Sequence, residues 1–522
     1  MPHSHLGGGI SGLVVAHRLS QILPQASKIT VLDASNRFGG WLQSQPVKLQ
    51  DGSELTLERG PRTMRPRGKE GWSAIKLADE LGLTDDIITT KTNAASARKR
   101  YIYYPDRLNH LPHSLLSFIS TLQQPALQGF FPALFTEAFK SRRDSSISDE
   151  SVDAFIRRRL GPHVADNLIS AMIHGIYAGD SKQLSIRAIF PSLWRMEQST
   201  GSITGGMLLS AYSDEAKASK EAVEKIQGTL KQETRNKLRG ASVWSLRGGF
   251  QGLAERLVQK LRESPNVELV MGAEVKSINA NDPKQVKLDY MLQGNKGRIQ
   301  QRSLSASHLV CALPSSSLHQ LLPSLPHLFS APAVDVGLVN LIYRNPPPVS
   351  PKKPGRILPV SGFGYLIPQS TPRAQNPHRV LGVIFDSDVM PSVDDSAKDW
   401  TKLTVMMGGH QYAGQERLPD ASELTEQAKE TLSMHLGVTQ EPVYAQGQMQ
   451  RRCIPQYGVG HVDRMQELDA SLRKLMPGVS IAGASYTGVS VNDCIYHALA
   501  LGDHLAQETQ GVTGLESYLK EM

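Results

Sequence analysis

Two features early in the chain could do chemistry. Gly7-Gly8-Gly9-Ile10-Ser11-Gly12 carries the spacing G-x-G-x-x-G, and Asp33 follows 21 residues after Gly12. Glycines let a backbone turn tightly and approach a pyrophosphate closely, while the first N–H groups of the next helix attract its negative charge. An acid after the second strand accepts hydrogen bonds from ribose hydroxyls. The chemistry expected is dinucleotide binding, and it needs elements to position it. Leu13, Ala16, Leu19 and Leu23 mark the helix, and Lys28–Leu32 reads as the strand that Asp33 closes. A strand should also precede Gly7, where about five apolar residues belong. Only His3-Ser4-His5-Leu6 stands there. Either that strand is short and poorly made, or the sequence begins inside the natural start.

Composition narrows the remaining classes. The 522 residues predict roughly three or four domains at ~150 residues each. Hydrophobic residues make up 40% and charged residues 20%, so a highly charged disordered chain is excluded. Cys311, Cys453 and Cys494 are too scattered for a disulfide scaffold or a zinc pattern, and HExxH is absent, so no metal is expected. The net charge of +8 fits an anionic surface or an acidic substrate as readily as nucleic acid. No run of ~20 apolar residues reads as a spanning helix. With only six residues before Gly7, neither a signal peptide nor a transit peptide is expected. Leu108–Thr136 lacks Asp, Glu, Lys and Arg. It sets Leu115, Phe118, Ile119 and Leu122 at helical spacing, then Phe130, Phe131, Leu134 and Phe135 after Pro125. That pattern suits amphipathic helices, buried or laid on a membrane. Further strands are expected at Val267–Val270, Val286–Leu292 and Leu309–Leu313, and helices at Glu423–Leu436 and Asn492–Gln507. Ser213–Arg239 reads as a solvated helix or a mobile excursion, and Asn345–Pro354 as a surface loop.

The next motif separates flavin from nicotinamide. Asp33-Ala34 leads to Arg37-Phe38-Gly39-Gly40-Trp41, an Arg and two glycines placed for a second approach to the pyrophosphate. This R-x-G-G pattern resembles the two-motif flavoproteins that include amine oxidases and porphyrinogen oxidases. Four further blocks, in family order, are Glu58-Arg59-Gly60-Pro61-Arg62-Thr63-Met64-Arg65-Pro66, Gly175-Ile176-Tyr177-Ala178-Gly179-Asp180, Ser245-Leu246-Arg247-Gly248-Gly249-Phe250 and Gly483–Ile495. With Gly362-Phe363-Gly364 and Cys453-Ile454-Pro455-Gln456-Tyr457, they resemble the protoporphyrinogen IX oxidase family of haem synthesis over nearly the whole chain.

The resemblance implies an α/β fold of mixed α+β character in three units. A Rossmann-like FAD-binding domain takes residues 1–62, 241–322 and 446–522. A substrate domain on a mixed sheet takes 63–108, 210–240 and 323–445, and a helical membrane-associated domain takes 109–209. It implies non-covalent FAD held along Gly7, Gly8, Gly9, Ile10, Ser11, Gly12, Asp33, Ala34, Arg37, Gly39, Gly40 and Trp41. Gly60, Pro61, Arg62 and Thr63 would reach toward the flavin, Val275 would hold the adenine side, and Ala484, Val489, Ser490 and Val491 would sit beneath the isoalloxazine. Arg100 would bind a propionate, Gly175 and Ile176 would face the macrocycle, and Leu318 would clamp it. The implied reaction removes six electrons from protoporphyrinogen IX by hydride transfer to flavin N5, with O2 as acceptor and hydrogen peroxide as by-product. No side chain is assigned as acid or base; His174 and His461 lie beside motifs but read as structural. The implied site is the mitochondrial inner membrane, reached peripherally. The resemblance leaves room for a homodimer and for hand-off to the terminal haem-pathway enzyme, and it leaves none for nucleic acid. Two rivals share the scaffold: another flavin amine oxidase, and a non-enzymatic escort-type protein without flavin.

Overall fold

The structure, a computed structural model, describes residues 2–112, 121, 123–210, 213–293, 299–347, 355–391, 393–394, 399–508 and 510–521. The expected helix residues Leu115, Phe118, Ile119 and Leu122 lie outside the described residues, as does the loop from 348 to 354.

The nucleotide unit is built on a five-stranded parallel sheet. Its strands are β1 (His3–Leu6), β2 (Ile29–Asp33), β3 (Val267–Met271), β4 (His308–Cys311) and β5 (Val479–Ile481), in the spatial order β5-β4-β1-β2-β3. That order reverses direction at β1, and ligands in open α/β sheets bind outside the strand ends at such a point. The short β1 does form, as the central strand. Its residues are all buried, with His5 paired between Val31 and Val310. Helix α1 (Ile10–Ile22) returns the chain from β1 to β2 and packs against the last long helix, Val491–Gln507. Leu13, Val14 and Leu19 of α1 enter one core with Ile495, Ala498 and Leu501. A three-stranded antiparallel sheet, covering Ala273–Asp282, Gln285–Gln293 and Ile299–Ala306, flanks this unit and carries Val275.

The second unit is a seven-stranded mixed sheet. Its strand Ala333–Arg344, second from one edge, is buried from Val336 through Tyr343, a largely apolar run that needs cover on both faces. Helix Ala421–Leu436 covers one face through Leu424, Ala428 and Leu432. It begins on an Asp420–Glu423 capping box and ends at Gly437, whose φ of +68° suits a residue without Cβ.

Two boundaries differ from expectation. Strand Tyr444–Pro455 pairs with Ala333–Arg344, so the substrate sheet extends to Pro455 rather than stopping near 446. Helix α2 (Gly68–Glu80) buries Ala74, Ile75, Leu77 and Ala78 in the nucleotide-unit core, against the expected assignment of 63–108 to the substrate domain. Both shifts arise from pairing and packing across long sequence separations, which local periodicity does not record. Within Ser213–Arg239, helix Asp214–Thr229 buries no side chain, in keeping with a solvated helix.

The helical unit is organised by a buried ion pair. Arg159 and Glu137 are fully buried and joined, and Arg159 also donates to the carbonyls of Glu137 and Gly201. The Glu137 carboxylate accepts from the N–H groups of Ile203 and Thr204, and so caps helix Ile203–Ser210. Burial opposes its ionisation, but bonds from Ser202, Thr204 and Ile203 outweigh that and hold its pKa at about 2. Helices Phe130–Glu137 and Ile203–Ser210 are thereby fixed together. Beside them Phe139 is 90% exposed, Phe135 77% and Leu208 75%.

Candidate cofactor and substrate site

At the end of β1 the chain turns through Gly7, with φ of +101°. A Cβ there would lie 2.6 Å from the Ala312 carbonyl oxygen, so the turn takes only glycine. The first helical bond of α1 runs from Leu13 N–H to the Gly9 carbonyl, and no side chain caps the helix start. The N–H groups of the preceding residues therefore offer a site for an anion. Asp33 is aimed at the same loop: Oδ2 accepts from Gly8 N–H at 2.6 Å, and Oδ1 from Ser35 N–H at 2.7 Å. Its remaining lone pairs can take ribose hydroxyls.

The second glycine turn lies directly on the first. Gly39 N–H donates to the Gly8 carbonyl at 2.8 Å. Arg37 braces this turn, donating to the carbonyls of Phe38 and Leu42 at 3.2 Å each and to that of Gly40. Gly60 closes the third side, since a Cβ there would fall on the Trp41 carbonyl oxygen. Three separate segments, Gly7–Gly12, Asp33–Trp41 and Gly60–Thr63, thus share one loop cluster.

The C-terminal motif joins it. A Cβ on Gly483 would lie 3.8 Å from Ser11 Oγ, which places the Gly483–Val491 turn beside the start of α1. Tyr457 fixes this turn by donating to the Ala484 carbonyl at 2.6 Å and accepting from Gly488 N–H at 2.8 Å. Ser490 and Asp493 form a capping box that starts the last long helix. Cys494 beside it is buried, and burial pushes its thiol up to about 12, so it offers no thiolate for a covalent bond. His461 stacks on Tyr457 at 4.0 Å, and burial lowers its pKa to about 4, which fits the structural role expected of it.

Arg62 is half-buried and ion-paired to Asp386 at 2.8 Å, with its carbonyl held by Ser245 Oγ. The adjoining Glu58 is raised to about 7, chiefly by burial, although Phe250 N–H and Ser44 Oγ both donate to it. These groups line a cavity of about 30 Å³ between the nucleotide unit and the seven-stranded sheet.

On the substrate side, Arg100 stands over the Phe363 ring at 5.2 Å. Its buried Nε has no hydrogen-bond partner among the described residues. Burial, then the charge of Arg65, lowers its pKa. Arg65 in turn offers its carbonyl to Asn492 Nδ2 at 3.1 Å, next to the Val489–Val491 turn. Ile176, at the end of helix Ser170–Tyr177, is 50% exposed.

The surroundings of three further residues expected to touch a ligand are as follows. Leu318 is fully buried in a core with Leu322, Leu325 and Leu328, so it offers no surface to a ligand, and its clamp role is corrected to core packing. At Gly175 a Cβ would lie 2.6 Å from Leu366 Cδ2, so the glycine leaves room for that side chain. Val275 sits half-buried in the flanking sheet, against the core that holds β2. His174 is buried, bonded through Nδ1 to the Ile367 carbonyl at 2.6 Å and through Nε2 to His410 at 2.9 Å. Sequence reasoning passes over Arg65, Phe363, Tyr457 and Asn492 as actors, although all four lie within the motif blocks. Their roles depend on partners far away in sequence.

Residues 10–500 match the family model of flavin containing amine oxidoreductases. The protoporphyrinogen oxidase of Schizosaccharomyces pombe is 34% identical over 96% of this chain and 97% of its own. The human protoporphyrinogen oxidase is 34% identical over 94% of this chain and 95% of its own. In fold, a structure from Exiguobacterium sp. 255-15 assigned as a protoporphyrinogen oxidase aligns with TM-score 0.70 and 22% identity, covering 97% of this chain and 99% of that one.

Proposed function

The chain belongs to the flavin containing amine oxidoreductase family, and we propose that within it the chain is an oxygen-dependent protoporphyrinogen IX oxidase. FAD fits the loop cluster: an uncapped helix start for the pyrophosphate, Asp33 for the ribose, and the Gly483–Val491 turn for the ring system. When bound, the flavin supplies a two-electron acceptor that O2 restores, with hydrogen peroxide as the by-product. The chain itself binds, orients and excludes water. Arg100 recognises a carboxylate in a fork that lysine could not copy. Phe363 supports that guanidinium from beneath, and Ile176 offers apolar surface for a macrocycle.

The observation that carries the reading is Arg100, whose buried Nε has no partner among the described residues. Its guanidinium stands over the Phe363 ring without an acid partner among the described residues. An amine substrate would be repelled there, which disfavours the amine-oxidase alternative. The buried Cys494 supports non-covalent flavin. The complete loop cluster disfavours an escort protein that has lost its cofactor.

The exposed Phe135, Phe139 and Leu208 support contact of the helical unit with a membrane surface. Among the described residues no helix is long and apolar enough to cross one. Peripheral residence on the mitochondrial inner membrane is proposed from the family resemblance.

The test is aerobic incubation of the yellow holoprotein with protoporphyrinogen IX, following porphyrin fluorescence and peroxide. Turnover with about three peroxides per porphyrin is expected from a six-electron oxidation. A flavin-loaded protein that oxidises amines and leaves the porphyrinogen untouched would overturn the reading.

A further inference from the structure

The strand that leads into the Gly60–Thr63 turn is held from its side by a pair of buried charges. Strand Glu54–Glu58 pairs antiparallel with Ser44–Lys48, with Thr56 opposite Pro46. In such a ladder, opposed residues alternately exchange both backbone bonds or neither. Arg59 N–H donates to the Gln43 carbonyl, and Leu49 N–H to the Ser53 carbonyl, so by alternation Thr56 and Pro46 exchange neither. The N–H and C=O of Thr56 therefore point away from the partner strand. Both are taken up by side chains of the substrate unit. Asp394 Oδ1 accepts from Thr56 N–H at 2.7 Å, and Lys402 Nζ donates to the Thr56 carbonyl at 2.9 Å. Asp394 and Lys402 are ion-paired to each other, with side chains only 2% and 7% exposed. One ion pair thus stands in for a neighbouring strand at a single residue. The same region makes a second tie: Arg62 pairs with Asp386 at 2.8 Å, and the other Asp386 oxygen accepts from Thr404 Oγ1 at 2.6 Å. Lys402 and Thr404 both stand on strand Trp400–Gly408. From there the sheet continues through Val380–Ile384 and Gly364–Leu366 to Tyr101–Tyr103, which Arg100 directly precedes.

We propose that Lys402 and Asp394 are positioning residues: by gripping the Thr56 peptide they set the Gly60–Thr63 turn, and the cofactor cluster it belongs to, at a fixed distance and angle from the sheet that carries Arg100. This deepens the proposed function and rests on it for the reaction being positioned. A segment held at Thr56 and again at Arg62 cannot pivot about either point. The rate of a reaction between two held groups is steeply sensitive to their placement, and a shift of about 1 Å can cost a hundredfold. The pair acts through the strand and not on the substrate, so its loss should appear in kcat rather than in KM. A pair that served stability alone would leave the kinetics untouched once both charges were removed together, because neither would then be stranded in the interior.

The experiment compares the wild-type holoprotein with two uncharged double variants. Lys402→Met with Asp394→Leu removes both contacts to Thr56, whereas Lys402→Met with Asp394→Asn keeps an acceptor for its N–H. Flavin content, the visible circular dichroism of the bound flavin, and kinetics with protoporphyrinogen IX are measured for each. The Met/Leu protein should lose about ten- to hundredfold in kcat with KM little changed, and its flavin dichroism should differ from wild type. The Met/Asn protein should recover part of both. Equal kcat per bound flavin in the two doubles, at the wild-type level or below it, overturns the proposal, as does a rise in KM at unchanged kcat. If wild type turns over no porphyrinogen, the proposed reaction fails, and the dichroism then decides the grip: the Met/Asn spectrum should lie nearer wild type than the Met/Leu spectrum, and identical spectra overturn the proposal. Should the doubles not fold, hydrogen exchange resolved to single amides is measured on the wild-type holoprotein. The Thr56 amide should exchange as slowly as those of Leu55 and Leu57, which the ladder pairs with the partner strand; fast exchange at Thr56 overturns the proposal.

Discussion

His5→Val should make the protein more stable, and more so in mild acid. His5 is fully buried in the middle of the nucleotide sheet, in register with Val31 on one side and Val310 on the other. Neither of its ring nitrogens has a hydrogen-bond partner among the described residues. A buried polar group left unpaired costs about 1–3 kcal/mol, and valine would remove that cost while extending a row of β-branched neighbours. A second contribution depends on pH. Burial, and then the charges of His3 and His308, lower the His5 pKa from 6.5 to about 3. Below pH 6.5 the unfolded chain therefore binds a proton that the folded chain refuses. Stability is fully present above 6.5 and falls as the pH drops toward 3. At pH 5.5 this amounts to about 1.4 kcal/mol. His17, His174, His461 and His497 are lowered to about 4 by burial and act in the same direction, so only the difference between variant and wild type isolates His5. The assay is urea unfolding followed by flavin release, at pH 7.5 and 5.5. The variant should gain about 1–3 kcal/mol at pH 7.5 and roughly 1.4 kcal/mol more at pH 5.5. A gain that is the same at both pH values would refute the titration argument, and a loss at pH 7.5 would refute the unpaired-nitrogen argument.

Three other experiments test the site and its supports. Gly60→Ala places a methyl on the Trp41 carbonyl and should sharply lower flavin content, whereas Gly252→Ala, in a helix with nothing within 4 Å, should leave it unchanged; absorbance at the flavin bands reads both. Glu137→Gln removes the nearer acid of the buried Arg159, leaving it Glu197 at 3.6 Å, and takes the negative charge off the start of helix Ile203–Ser210. It should cost the helical unit about 3–5 kcal/mol, measured by urea unfolding through Trp194, which stacks with Arg143 at 3.5 Å. Phe139→Ser combined with Leu208→Ser should reduce sedimentation with anionic vesicles by tenfold or more, since each apolar side chain taken out of water contributes about 1.5–3 kcal/mol. Stability in solution should be unaffected, because both side chains are already exposed; an unchanged partition would move the membrane contact elsewhere.

What the sequence disclosed divides by the range of the physics. The glycine loop is a local device: its spacing, its helix and Asp33 are set within a few turns of chain, and the structure places them as the spacing requires. Helix Ala421–Leu436 was legible for the same reason, since its cap and its apolar stripe are written side by side. The strand before Gly7 is poor in the sequence and poor in the fold. It forms because Ile29–Leu32 and His308–Cys311 supply both hydrogen-bond ladders, and its histidines are tolerated at a cost.

Leu318 shows where this reach ends. A leucine has the same sequence appearance in a core and in a cavity wall, and only the neighbours Leu322, Leu325 and Leu328 decide between them. Arg65 is the converse case. An arginine is ordinary until its acid is missing, and whether an acid is missing is a property of everything the fold brings near it. Arg62, three residues earlier in the same motif, meets Asp386 and becomes a strut. Arg65 is exposed and has no carboxylate within ion-pair distance among the described residues. The two cannot be told apart by type or by spacing. The difference lies in long-range charge balance, which local type and spacing do not record.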